Sequence, residues 1–321
     1  MASPRILIAG LGSIGSLVAA YIHRHCELYA IGRKWHVDAI KQRGFLILRK
    51  NGEEKKIILK NVTTTMSNLP KKFDFIIVTT KAHDTEQILK ELKEARISAK
   101  CYVLLQNGIG NEEVVYKVLG QVNLIRGITN NGANIPEPGV VIHAGIGETF
   151  FAPVSGSNSE RFARKLVELF NESGLPAKLE PNLVLLIWKK VIINAVINSL
   201  TAVLRMKNRG VYLSNSARKL AEMIIEEICK IATRKGIQID PKEMINIVMK
   251  VAKNTGENIS STLQDVLRGK KTEMDFICGA IVREAKKMKI NVPICETLYY
   301  LIKIIEELHD KGVFVKASSY S

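Results

Sequence analysis

Four polar side chains recur at helical spacing in a mostly apolar stretch: Lys190, Asn194, Asn198 and Thr201, within residues 185–204. Steps of four residues move a side chain about 40° around a helix axis, and Thr201 returns to within about 20° of Lys190. All four therefore fall on one narrow stripe. A helix that is apolar all round is expected to be buried, and buried amides or an ammonium are costly without partners. The stripe must then face a buried polar network or a cleft that holds a polar ligand. There Lys190 could protonate a developing alkoxide or hold a carboxylate. The competing reading is a solvent-facing stripe, although solvent faces are ordinarily wider and richer in Glu and Lys.

A second pattern lies near the N-terminus. Gly10, Leu11, Gly12, Ser13, Ile14 and Gly15 fit G-x-G-x-x-G, after a short apolar run and before a helical pattern. That context gives the motif its meaning: a tight turn, close approach of backbone to a pyrophosphate, and close helix–strand packing. The free N–H groups of the helix start would face the phosphates. The next strand-like run ends Ala30, Ile31, Gly32, Arg33, Lys34, with no carboxylate to bind a ribose 2′-hydroxyl. A guanidinium at Arg33 can instead chelate a 2′-phosphate, which favours NADP. The alternative is that Arg33 and Lys34 are solvated charges at a helix start, Lys34 being the more readily spared.

The elements that must position these groups follow from periodicity. Residues 4–10, 27–31, 73–79, 101–105 and 122–128 read as strands, and residues 13–24 and 35–43 as helices. Asn51 and Gly52 separate two strand-like runs, residues 44–48 and 55–59, and predict a β-hairpin. The alternation predicts an α/β fold whose N-terminal half is a mainly parallel sheet with helices on both faces. Beyond about Pro181 the strand-like runs give way to long helical patterns, predicting a C-terminal all-helical domain. Domains are accordingly expected at residues 1–181 and 182–321. Asp240 and Pro241 read as an N-cap and first-turn proline. Thr272 and Asp275 resemble a capping box with Asp in place of Glu or Gln. Asn291, Val292 and Pro293 break one helix before the next. The small polar residues 317–321 read as a frayed tail.

Composition narrows the classes. The chain has 321 residues, of which 46% are hydrophobic, enough for about two domains and too apolar for a disordered chain. No membrane span and no signal peptide are read, so a cytoplasmic location is expected. Five scattered cysteines (Cys26, Cys101, Cys229, Cys278 and Cys295) offer no CxxC pair, hence no disulfide framework and no metal site. A net charge of +16 draws anions. The Lys and Arg residues are spread among Glu rather than gathered in an aromatic-laced stripe, so no nucleic-acid partner is expected.

Taken together these residues resemble the ketopantoate reductase (2-dehydropantoate 2-reductase) family. The resemblance rests on the glycine loop, on Thr80 and Lys81, and on Gln106, Asn107 and Gly108. It continues through residues 127–133 (GITNNGA) and 143–145, through the helix carrying Trp188, Lys190, Asn194 and Asn198, and through Asn208 and Gly210. It ends with residues 257–265 and with Thr272 and Glu273. It implies a Rossmann-type domain followed by a helical substrate domain, with the active site in the cleft between them. It also implies NADPH-dependent reduction of ketopantoate to pantoate, on the route to pantothenate and coenzyme A. Lys190 matches the general acid. Asn194, Asn198, Asn208 and Ser261 match substrate-holding residues, and Asn258 stands just ahead of that serine. Glu273 matches a carboxylate near the nicotinamide ribose and the lysine. The glycine loop, Arg33, Lys81, Asn107 and Ala133 match the NADP(H) contacts. Ser199 replaces a proline often seen after the second Asn, which leaves the stripe intact.

Plainer roles stand beside these. Ser261 with Gln264 has the spacing of a capping box. Glu273 could favour a helix start through the dipole, and Asn208 could be a turn residue. Another branched 2-keto acid as substrate, and a non-catalytic NADP-binding regulator, are the rival functions. The apolar helical half is rich enough to supply a homodimer interface.

Overall fold

The computed structural model describes residues 3–311 and residue 313. The tail at residues 317–321 lies outside the described residues. Two compact units emerge: Met1–Gln106 with Asn111–Leu183, and Asn107–Gly110 with Val184–Ser321.

The first unit opens with β1 (Arg5–Ala9), α1 (Ser13–Ile22), β2 (Glu27–Ile31) and α2 (Lys34–Arg43), which stops at Gly44 in the left-handed region. The hairpin forms as β3 (Leu46–Lys50) and β4 (Glu53–Ile57), with Asn51 and Gly52 at φ of 51° and 84°. Positive φ at both turn residues matches the right-handed twist of the paired strands. The chain continues through β5 (Asn61–Thr63), β6 (Lys72–Val78), α3 (Thr85–Glu94), β7 (Ser98–Leu104), α4 (Asn111–Leu119) and β8 (Leu124–Thr129). Then come β9 (Gly132–Asn134), β10 (Val140–Gly145), β11 (Thr149–Ser155), α5 (Ser159–Glu172) and β12 (Ala177–Leu179).

Eight strands form one sheet in the order β12-β11-β8-β7-β6-β1-β2-β5. The run from β5 to β8 is wholly parallel, β11 pairs antiparallel with β8, and β12 runs parallel to β11. The chain order reverses at β1 and β6, the arrangement that opens a crevice at the carboxyl ends of parallel strands. Strand β1 (RILIA) shows why the central runs do not alternate. It is covered on both faces, so Ile6, Leu7, Ile8 and Ala9 are all fully buried. Leu17, Ile22, Ile40 and Phe170, from α1, α2 and α5, pack on one face; Leu89, Leu92, Val115 and Val118, from α3 and α4, pack on the other. A second sheet, in the order β4-β3-β10-β9, extends the expected hairpin by two further strands. Its β3–β10 pairing joins segments about a hundred residues apart, and no local signal announces that.

The second unit is helical: α6 (Leu183–Leu204), α7 (Arg209–Leu213), α8 (Asn215–Arg234), α9 (Pro241–Asn254), α10 (Ser261–Leu267), α11 (Cys278–Met288) and α12 (Pro293–Leu308). Asp240 does cap α9, its side chain accepting from the Lys242 N–H at 3.0 Å. Helix α6 is long and apolar enough to cross a membrane, yet much of it is core. Trp188, Ile192, Val196 and Leu200 pack there with Ile224, Ile228, Val248, Ile281 and Ile302. Full burial is worth about 1.5–3 kcal/mol for each such side chain, enough to carry a few polar residues on the same helix. The N-terminus of α12 is closed from a distance. Both oxygens of buried Glu227 accept backbone N–H groups, from Ile294 at 3.0 Å and Cys295 at 2.9 Å.

Candidate active site

In the first unit the glycine loop joins β1 to α1. Gly10 has φ +113°, and a Cβ there would stand 2.5 Å from the Thr80 nitrogen; one on Gly15 would stand 2.1 Å from the Gly10 carbonyl oxygen. Those two positions are glycine because the fold leaves no room. Gly12 differs. It has extended backbone (φ −87°), and a Cβ there would meet nothing within 4 Å. The fold does not require glycine at 12, so its small size keeps space open in front of the helix start. No side chain caps α1 and its first turn carries no acid. Leu11 is buried, its N–H bonded to the Ile31 carbonyl at 2.8 Å, while Ser13 and Ile14 are half-buried. Open space, N–H donors and the absence of a carboxylate fit a pyrophosphate. Below the loop, His36 is fully buried, its Nε2 3.0 Å from Ser16 Oγ and its Nδ1 accepting from the Gly139 N–H at 3.0 Å. Burial pushes its imidazole down to about 4.

Arg33 sits just after β2, at the N-cap position of α2, exposed. Its Nη2 donates to Asp84 Oδ2 at 3.1 Å. Lys34 is turned to its own helix, onto Asp38. Lys81 follows β6 and is half-buried. The glycine loop, Arg33 and Lys81 thus follow the neighbouring parallel strands β1, β2 and β6 at their carboxyl ends. Ala133 lies on β9, paired with His143 of β10. His143 bridges Tyr21 OH at 2.8 Å and Asn131 Oδ1 at 2.9 Å, which ties down the loop leading to Ala133. Burial, with help from the Lys50 charge, holds this imidazole below its usual range.

In the second unit the stripe is graded along α6. Lys190 and Asn194 are half-buried, Asn198 is buried and Thr201 fully so. Asn198 Nδ2 donates to Ser261 Oγ at 3.3 Å, and Thr201 Oγ1 lies 2.7 Å from Ser260 Oγ. The polar face is therefore neither a solvent stripe nor buried throughout: it is buried at Asn198 and Thr201 and half-exposed at Lys190 and Asn194. The capping expectation for Ser261 is corrected. Ser260 is the N-cap of α10 and its hydroxyl accepts from the Leu263 N–H at 3.2 Å. Ser261, one residue later, is in the first helical turn, exposed, with its hydroxyl on the stripe. Ser199 lies off the stripe, packed against Cys278 Sγ at 3.5 Å.

Glu273 is buried, and Asn107 Nδ2 donates to its Oε2 at 3.3 Å. The Asn107–Gly110 segment belongs to the helical unit. It is fastened there by the Ile109 N–H, which donates to the Phe276 carbonyl at 2.9 Å. The capping box expected at Thr272 and Asp275 does not form. Thr272 N–H and Oγ1 both donate to Glu306 Oε1, at 2.8 and 2.5 Å, and Asp275 accepts from Tyr299 OH at 2.8 Å. Burial opposes ionisation of Asp275, but Tyr299, Lys303 and Lys271 outweigh it and hold the carboxyl below its ordinary range. Glu273 thus sits in a segment braced from α12.

Two predicted residues are placed differently from the stripe. Asn208 is buried with Nδ2 on Thr255 Oγ1 at 2.9 Å, and its N–H donates to the Asn258 carbonyl at 3.1 Å. Asn258 itself is exposed. Both tie a turn together through these bonds. Two supporting residues, Arg126 and Thr85, had no signal in the chain order, and both act through Gln106. Arg126 is buried with Nη2 on the Gln106 carbonyl at 2.7 Å, and Gln106 Nε2 reaches Thr85 Oγ1 at 2.8 Å. This brace precedes Asn107 directly. All five cysteines are buried and free, and burial pushes Cys26 and Cys101 up to about 12. Among the described residues no group of three or more His, Cys, Asp or Glu could hold a metal ion.

The family described as Ketopantoate reductase PanE/ApbA matches residues 6–156, and its C-terminal counterpart matches residues 182–306. A 2-dehydropantoate 2-reductase of Pyrococcus horikoshii is 38% identical over 95% of this chain and 98% of its own. One from Archaeoglobus fulgidus is 34% identical over 94% and 98%. Among solved structures, a D-mandelate dehydrogenase in ternary complex with NADH and anilino(oxo)acetate superposes with a TM-score of 0.87. It is 30% identical, covering 94% of this chain and 98% of that one. A PanE/ApbA family ketopantoate reductase from Ralstonia eutropha gives 0.85 at 25% identity, with 94% and 98% covered. With both halves matched and near full-length identity to reductases of this name, the chain belongs to the ketopantoate reductase family of oxidoreductases.

Proposed function

We propose that the protein reduces ketopantoate to pantoate with NADPH, serving pantothenate and coenzyme A synthesis, with Lys190 as the proton donor. The observation that carries the reading is the graded stripe of α6, where an ammonium and two carboxamides share one face of an apolar helix and end on Ser261. The residues around Gly12 and Arg33 would hold the dinucleotide, the first through helix-start N–H groups and the second through a 2′-phosphate. The chemistry that NADPH supplies when bound is hydride donation to the keto carbon. Lys190 gives its proton to the keto oxygen as negative charge grows there, and water restores it afterwards. Asn194 and Asn198, with Ser261, orient the substrate's carboxylate and hydroxyl so that the carbonyl presents one face. Glu273, held by Asn107, orients Lys190. The first unit is the dinucleotide-binding domain and the helical unit the substrate domain.

One observation favours a second reading. The similarity to D-mandelate dehydrogenase is as strong as that to any reductase superposed above, so another 2-keto acid, with NADH, is the rival substrate pair. A panel of ketopantoate, other branched 2-keto acids and benzoylformate separates the two, with NADPH and NADH oxidation followed for each. The proposal expects the highest kcat/KM for ketopantoate with NADPH. Turnover confined to a different acid would transfer the assignment to the rival. No turnover with any acid and either cofactor would remove the catalytic reading.

A further inference from the structure

The carboxylate of Asp84 is held by a distant residue and not by its own helix start. Asp84 closes a 3-10 turn (Ala82–Asp84) that runs directly into α3, in helical φ/ψ rather than the extended backbone of a capping residue, and its side chain makes no cap hydrogen bond. Its Oδ2 instead accepts from Arg33 Nη2 at 3.1 Å, 51 residues away in sequence, and its Oδ1 lies 3.7 Å from His83 Nε2. Arg33 and Asp84 remain 57% and 40% exposed, so the pair is reachable from solvent. Lys34, the neighbouring cation, is engaged by Asp38.

We propose that Asp84 is a specificity-determining residue that weakens the preference of Arg33 for a 2′-phosphate and makes the site tolerant of a 2′-hydroxyl. The inference rests on the dinucleotide reading given above. A phosphate dianion arriving at Arg33 must displace or share the guanidinium with a carboxylate of the same sign. A ribose hydroxyl meets no such opposition, and it can donate to the carboxylate. In many dinucleotide sites an acid at the end of the second strand accepts from that hydroxyl. Here the second strand ends in Arg33, and the acid comes from the helix start after β6 instead. The site therefore carries both recognition groups, each restraining the other.

The test measures dissociation constants for NADPH and NADH, and for 2′,5′-ADP and 5′-AMP, by fluorescence and calorimetry at low salt. It uses the full chain, its Asp84→Asn variant and, as a second uncharged variant of smaller size, Asp84→Ser. The expected result is wild-type binding of NADPH and NADH within about tenfold of each other. In both variants NADPH and 2′,5′-ADP bind about tenfold tighter, as for loss of one partly exposed charge contact. NADH binds no tighter, and the gain shrinks at high salt. An unchanged NADPH-to-NADH ratio in both variants, with wild type binding both, overturns the inference and leaves the dinucleotide reading standing. Wild type binding neither nucleotide overturns both.

Discussion

Replacing Lys190 with alanine removes the ammonium from the half-exposed end of the stripe and leaves Asn194, Asn198 and Thr201 in place. The side chain is half-buried, so losing its methylenes costs the fold no more than about 1 kcal/mol. The chemical cost is larger. In the transition state a nearly full negative charge grows on the keto oxygen beside the ammonium. Unit charges about 4 Å apart, at an effective dielectric of about 20, attract by about 4 kcal/mol. That corresponds to a factor of about 10³ in rate, inside the range of about 10²–10⁴ usual for general acids. Lys190→Ala is therefore expected to lower kcat with ketopantoate about a thousandfold, with the NADPH dissociation constant within about threefold of wild type. Lys190→Arg sharpens the test, because a guanidinium keeps the charge but does not release its proton. If the proton matters, the arginine variant stays slow; if only the charge matters, it recovers. The assay is loss of reduced-nicotinamide absorbance, with a nucleotide titration and a melting curve on each variant. A kcat within tenfold of wild type in a normally folded Lys190→Ala protein would refute the reasoning.

Gly12→Ala is expected to melt within about 1 kcal/mol of wild type, because its Cβ meets nothing, while weakening dinucleotide binding at least tenfold. Gly15→Ala, whose Cβ would strike the Gly10 carbonyl, is expected to lower yield and melting temperature; equal melting of the two would refute the distinction. Glu227→Ala strips two charge-assisted acceptors from the α12 start and should cost about 3–5 kcal/mol. The loss is read as a lower denaturant midpoint, and Glu227→Gln should lose roughly half as much. His36 is neutral in the fold down to about 4, whereas its ordinary value is 6.5. The unfolded chain therefore binds the extra proton first as pH falls, so stability is full above 6.5 and declines toward 4, by up to about 3 kcal/mol. His36→Gln should flatten that window in a pH series of urea midpoints, and an unchanged slope would reject the burial argument.

Much of the architecture was legible because its causes are local. Continuous apolar runs mark strands covered on both faces. Asn51 and Gly52 mark a hairpin whose turn needs positive φ twice, and Asp240 with Pro241 marks a helix start. The stripe of Lys190, Asn194, Asn198 and Thr201 follows from helical arithmetic alone. Local patterns misled where two candidates stood side by side. Both Ser260 and Ser261 have the chemistry of a cap, and only the chain path into α10 selects the first. Thr272 and Asp275 had cap spacing, but acceptors and donors on α12 claimed them.

Neighbours within a few residues dictate the alternating and helical halves, the glycine loop, and the face of α6 that carries polar groups, so these can be read along the chain. Tertiary structure alone decided that Asp84 turns to Arg33, that Glu227 closes α12, and that Asn107 meets Glu273 in the helical unit. Those contacts join residues 51, 68 and 166 positions apart. Their partners are chosen by which buried donors and acceptors packing brings within hydrogen-bond reach, and no periodicity along the chain encodes that choice.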